Sequence, residues 1–179
     1  MKFATLFVVA AVSSSNMLGA PTPKLLSKIE PLPVALSDDF QFRKTKIFST
    51  EARTGSHRPS SFARNPAIAE ASINFEKSYR LYGALTAIDA LQKSGDYFDF
   101  FWRAKRRTDL TVRLEYRQEK LRSFVQAREI SYPNAKGNYK SEFAIIGDDY
   151  FNDGRVIAWR CLLIENGQIV AENRSYLWE

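Results

Sequence analysis

Between positions 110 and 117 the chain alternates without a break. Leu110, Val112, Leu114 and Tyr116 are apolar, while Thr111, Arg113, Glu115 and Arg117 are polar. Successive side chains of a β-strand point to opposite faces, so this segment reads as a strand with one face in a core and the other in solvent. Residues 97–106 repeat the pattern, with Phe98, Phe100, Trp102 and Ala104 on one face. Residues 124–132 and 142–146 read as a weaker edge strand and a short strand. Aromatic residues are 13% of the chain, mostly Phe and Tyr, which favours strands over helices.

Residues 156–164 and 168–178 flank Glu165, Asn166 and Gly167, and Asn-Gly is the strongest short hairpin signal. A three-residue turn with Gly167 in a bulge predicts Leu163 opposite Ile169, Cys161 opposite Ala171, and Arg160 opposite Glu172 as an opposite-charge pair. Residues 72–82 carry two periods. Ile73, Phe75, Tyr79 and Leu81 alternate as in a strand, whereas Ile68, Ala71, Phe75, Tyr79 and Tyr82 fit a helix. The strand is the preferred reading. Residues 86–92 predict a short helix capped by Thr86, with Asp89 completing a capping-box-like pair. Seven short strands at this spacing predict a mostly-β fold: an antiparallel immunoglobulin-like or fibronectin-III-like sandwich with one short helix, its core filled by Trp102 and Trp159.

Residues 1–20 have the grammar of a secretory signal peptide. Lys2 provides the positive start, positions 3–12 are apolar except for Thr5, and small and polar residues lead to Gly19 and Ala20. The apolar run is about half the ~20 residues a membrane-spanning helix needs, so no transmembrane span is expected after cleavage. Residues 21–66 hold six of the seven prolines and read as a partly ordered linker, in which Val34 to Leu36 and Ile47-Phe48 are able to dock on the domain. Residues 67–179 form the expected domain.

The formal net charge is +6, which favours anionic surfaces but also simply keeps a protein soluble. One cysteine, Cys161, and one histidine, His57, leave no disulfide, no cysteine metal cage and no Ser-His-Asp set within the domain. Cys161 falls on the core side, where a free thiol acts as a small hydrophobe. Asp and Glu are plentiful, but nothing selects a pair for hydrolysis. The expected class is therefore non-enzymatic, without a cofactor.

Three clusters are candidate sites. Lys105, Arg106 and Arg107 form a basic turn, with Arg103 and Arg113 nearby in sequence, that suits either an anionic partner or simple solvation. If residues 97–106 and 110–117 paired as a hairpin, Arg103 would face Arg113. Tyr97 and Phe101 are candidate exposed aromatics, as on sandwiches that stack sugars on aromatic rings. Asp148, Asp149 and Asp153 supply carboxylates to one loop and are weak metal candidates, since their spacing does not fit an EF-hand and glycines with Asx residues equally make a turn.

The segments REISYPNAKG, KSEFAIIGDDY, DGRVIAWR and LLIENGQIVAENRSYLW, with DYFDFFWRAKR and LTVRLEYRQ upstream, resemble a group of uncharacterised exported bacterial β-sandwich proteins. The resemblance covers most of residues 96–178 and implies one domain there, with no activity to carry over. The expectation is an exported binding or structural-interaction module of the cell envelope, periplasmic or extracellular. Its partner would be a protein or a glycan rather than nucleic acid, and a carbohydrate-binding module is the alternative.

Overall fold

The computed structural model describes residues 21–50 and 66–178. The leader-like residues 1–20 and His57 lie outside the described residues.

The two clean alternating segments belong to one strand, β3 (Gly95–Gln118), and the two weaker ones to another, β4 (Val125–Ile146). They pair antiparallel along their length, and the pairing breaks in one place, between Ala104 and Leu110 on β3, facing Gly137 to Tyr132 on β4. Both strands bend there. Sixteen residues separate Phe100 from Tyr116, which would be roughly 53 Å along a straight strand. Yet Trp159, the cross-strand partner of Tyr116, has its ring 5.3 Å from that of Phe100. The ribbon therefore folds back on itself.

Four further strands extend the ribbon. β2 (Phe40–Ser49) pairs with the first half of β3, and β5 (Val156–Glu165) with the second. β6 (Gln168–Arg174) pairs with β5, and β1 (Lys24–Leu25) with β4. All six strands form one antiparallel sheet in the order β1-β4-β3-β5-β6, with β2 on the other half of β3. The two layers expected from two sheets are the halves of a single folded sheet. Its edges meet where Asn173 Nδ2 donates to Thr45 Oγ1 at 2.7 Å.

The core lies inside the fold. Phe98, Phe100 and Trp102 from the first half of β3 pack with Leu110, Val112, Leu114 and Tyr116 from the second, and all are at most 2% exposed. Burying such a side chain contributes about 1.5–3 kcal/mol each. Trp102 donates to Ser141 Oγ at 2.8 Å, so its indole N–H is satisfied in the core. One open end is closed by α3 (Asp148–Asp153). The fully buried Gln118 ties it down, donating to the Asp149 and Gly154 carbonyls at 2.8 and 2.7 Å.

Several expectations are corrected. Residues 72–82 are not a strand but lie largely in α1 (Pro66–Arg80), which starts on a proline, as suits a first helical position. The Glu76–Arg80 pair at one-turn spacing anchors it, and Arg80 also reaches the buried Asp99 at 2.9 Å. Phe75 and Tyr79 are 71% and 62% exposed, so their alternation was not a burial signal. The short helix α2 (Ala87–Gln92) has the anticipated capping box between Thr86 and Asp89.

The expected linker also contributes structure. Residues 21–37 form a strap across the outer face, from β4 to β6. Leu26 N–H donates to the Ala127 carbonyl, Leu32 packs on Leu162, Ile164 and Ile169, and Ala35 and Ser37 donate to Ile169 and Val170. Pro31 and Pro33 fit an extended crossing that needs no donor from them.

The hairpin turns on two residues, not three. Asn166 and Gly167 both have positive φ, 49° and 75°, and Glu165 pairs with Gln168. A bulge at Val170 then shifts the register. Leu163 faces Ala171, Cys161 faces Asn173, and Arg160 faces Arg174 instead of Glu172.

Candidate functional site

The corrected register places two arginines side by side. Arg160 and Arg174 are direct cross-strand partners on the outer face of β5 and β6. Like charges so placed repel, and the arrangement is stabilised only by what lies around it. Arg160 Nε donates to Glu115 Oε2 at 2.7 Å, and Glu115 is 2% exposed. That carboxylate is shared, since Arg113 Nη1 stands 3.6 Å from Glu115 Oε1 while Arg113 Nε donates to Glu129 at 2.6 Å. Arg174 is exposed and has no carboxylate partner among the described residues.

Trp178 completes the cluster. After β6 the chain turns through Ser175, whose N–H donates to the Trp159 carbonyl and whose Oγ accepts from Trp159 N–H. This folds Trp178 over the outer face. The guanidinium carbons of Arg117 and Arg160 lie 4.9 and 5.2 Å from the centre of its ring, within cation–π range. These residues line a groove of about 1050 Å³ between the sheet and the strap, whose far wall includes Leu25, Ile29 and Phe124. A groove of this kind suits a ligand that brings negative charge to the arginines, because guanidinium groups hold carboxylate, sulfate or phosphate through paired, charge-assisted hydrogen bonds.

The residues singled out from the sequence lie elsewhere. Arg106 is a staple at the bend of β3. Nη1 and Nη2 hold Glu165 at 2.6 and 2.5 Å, and Nε holds Asp39 at 3.1 Å. Hydrogen bonds from Arg106, and then from Thr108, keep the Glu165 carboxyl below the usual glutamate range. Arg107 is exposed beside it. Arg103 faces Asn138 and Arg113 faces Glu129, because β3 continues as one bent strand through the stretch where a hairpin would have paired the two arginines.

Tyr97 is 8% exposed. Its hydroxyl donates to the Lys93 carbonyl at 2.5 Å and Arg80 covers its ring at 4.8 Å, so no sugar-stacking face is open there. Phe101 is half-buried beneath Lys140, 5.8 Å from its ring. Tyr97 instead borders a second, smaller pocket of about 370 Å³ with Arg80 and Asp99. There the charges are already matched, Asp99 receiving both Arg80 and Lys140.

Asp148 and Asp149 are in the first turn of α3, where Asp149 takes Arg128, and Asp153 accepts from Gln126. No group of three His, Cys, Asp or Glu able to hold a metal is formed among the described residues. Cys161 is fully buried, and burial pushes its thiol well above the ordinary value. No helix among the described residues is long and apolar enough to cross a membrane.

Reading the sequence alone missed Arg160, Arg174 and Trp178 as a set. The signal was present in the outward positions of β3 and β5, but it needs the Val170 bulge and the C-terminal turn to converge. Protein-family models, curated proteins and solved structures give no match to this chain.

Proposed function

We propose that this chain is an exported, non-enzymatic binding module of the cell envelope, periplasmic or extracellular, whose ligand carries an anionic group into the arginine groove. One observation carries the reading: Arg160 and Arg174 stand directly opposite each other, while Glu115 is already shared between Arg113 and Arg160. The groove is lined by Arg117, Arg160 and Arg174 against Glu30 and Glu115, so it keeps a net positive charge, and that is where an anionic ligand gains most. The leader-like residues 1–20 support export. In this reading the folded sheet acts as a sandwich-like support, comparable in layering to immunoglobulin and fibronectin-III sandwiches, that holds the arginines on rigid strands. The carbohydrate alternative relied on Tyr97 and Phe101, and the burial of Tyr97 does not favour it.

Calorimetric titration with octyl sulfate and octyl glucoside tests the proposal, because the tail is the same and only the head differs. Binding of octyl sulfate, weakened by salt, is the expected result. Equal affinity for both, or preference for the sugar head, would overturn the anionic reading.

A further inference from the structure

The groove has a direction. It runs across the strands, and the sheet order β1-β4-β3-β5-β6 ranks its lining residues along it. At the β1–β4 end stand Leu25, Val125 and Phe124, with Leu25 58% and Phe124 64% exposed. In the middle are Arg117 and Trp178, with Glu115 already held by Arg160, and at the β5–β6 end Arg160 and Arg174. Four strand spacings separate the two ends, roughly 19 Å. The groove is thus apolar at one end and cationic at the other, and its volume of about 1050 Å³ far exceeds what a carboxylate or sulfate alone would fill. It is slightly larger than the ~300–1,000 Å³ typical of small-molecule sites.

We infer that the occupant is a free single-chain amphiphile, with its acyl chain beneath the strap against Leu25 and Phe124 and its anionic head between Arg160 and Arg174. The inference rests on the anionic reading of the groove and adds the chemistry of the rest of the ligand. Charge complementarity orients the molecule, and burial of methylenes supplies affinity. The strap that forms the roof is held at this end by the two-residue strand β1 and the Leu26 hydrogen bond to Ala127.

The test is a titration of the full chain with hexanoate, octanoate, decanoate and dodecanoate, each below its micelle concentration. Each added pair of methylenes is expected to tighten binding by up to about fifteenfold, levelling off when the tail reaches the end of the groove. Leu25→Ser and Phe124→Ser are expected to flatten the dependence on length, whereas Arg174→Ala weakens all lengths by a common factor of about ten. Binding that is equally tight for hexanoate and dodecanoate overturns the acyl inference and leaves the anion site standing. No binding of any member to the folded chain overturns both. Capture by phosphatidylglycerol vesicles without binding of the free carboxylates overturns the inference in favour of membrane docking.

Discussion

Arg160 and Arg174 face each other across β5 and β6 only because the chain inserts one extra residue, Val170, between Ile169 and Ala171. Without the bulge Arg160 would meet Asn173, and the cationic end of the groove would not form. Like charges directly opposite each other on neighbouring strands are destabilising unless a counter-charge offsets them. Arg174→Ala should leave the fold as stable as wild type, or more stable by a few tenths of a kcal/mol, because a like-charge neighbour is removed. The same change should lower affinity for octyl sulfate about tenfold. Urea unfolding and calorimetry on one preparation check both, and a large loss of stability would mean that Arg174 has a structural partner.

Glu115 should behave in the opposite way. It is buried and neutralises Arg113 and Arg160 together. Glu115→Gln leaves two guanidinium groups facing a neutral amide, and the expected cost is about 3 kcal/mol. Chemical denaturation measures it, and a cost under 1 kcal/mol would show that Glu129 and solvent suffice.

The bend of β3 makes stability depend on pH. Arg106, with Thr108, holds the Glu165 carboxyl below its ordinary value of 4.5. The folded pKa is lowered, so this carboxylate stabilises the fold above the ordinary glutamate value. That contribution is lost as the pH falls through the lower folded value. Arg106→Met should therefore be less stable than wild type at neutral pH, with the gap closing in acid. Urea midpoints at neutral and acidic pH decide the matter, and a gap that stays constant would remove Glu165 from the explanation.

Gly95 sets the start of β3. Its φ is +147°, and a Cβ there would stand 2.2 Å from the Ile145 carbonyl oxygen. Gly95→Ala should destabilise by at least about 2 kcal/mol, since backbone rather than a flexible side chain must move. A thermal melt within a degree or two of wild type would contradict the register at this end of the sheet.

How far the sequence reveals this molecule depends on the range of the interactions. The alternation of Leu110 to Arg117, the Thr86–Asp89 capping box and the Asn166-Gly167 turn are local, and each is legible. The continuity of β3 is not, because the charged residues from Lys105 to Asp109 read as a turn when they line a bend stapled by Arg106 to Glu165. The proline-rich segment read as a linker because the Leu32 contacts that make it a strap lie over a hundred residues away in sequence. In α1 the misleading signal was the alternation of Ile73, Phe75 and Tyr79, which face solvent, while Arg80, paired with Glu76, reaches the sheet at Asp99. The groove draws on the strap, four strands and the C-terminal turn, so it exists only once all of them are in place.

The most direct measurement of the central claim is an NMR titration of the full chain with decanoate, following arginine Nε–H and tryptophan indole resonances. Saturable shifts are expected at Arg160, Arg174 and Trp178, with Trp102 and Arg107 unmoved. Shifts centred on Arg103 and Arg107, or none at Arg160 and Arg174 while binding is detected by calorimetry, would contradict the claim.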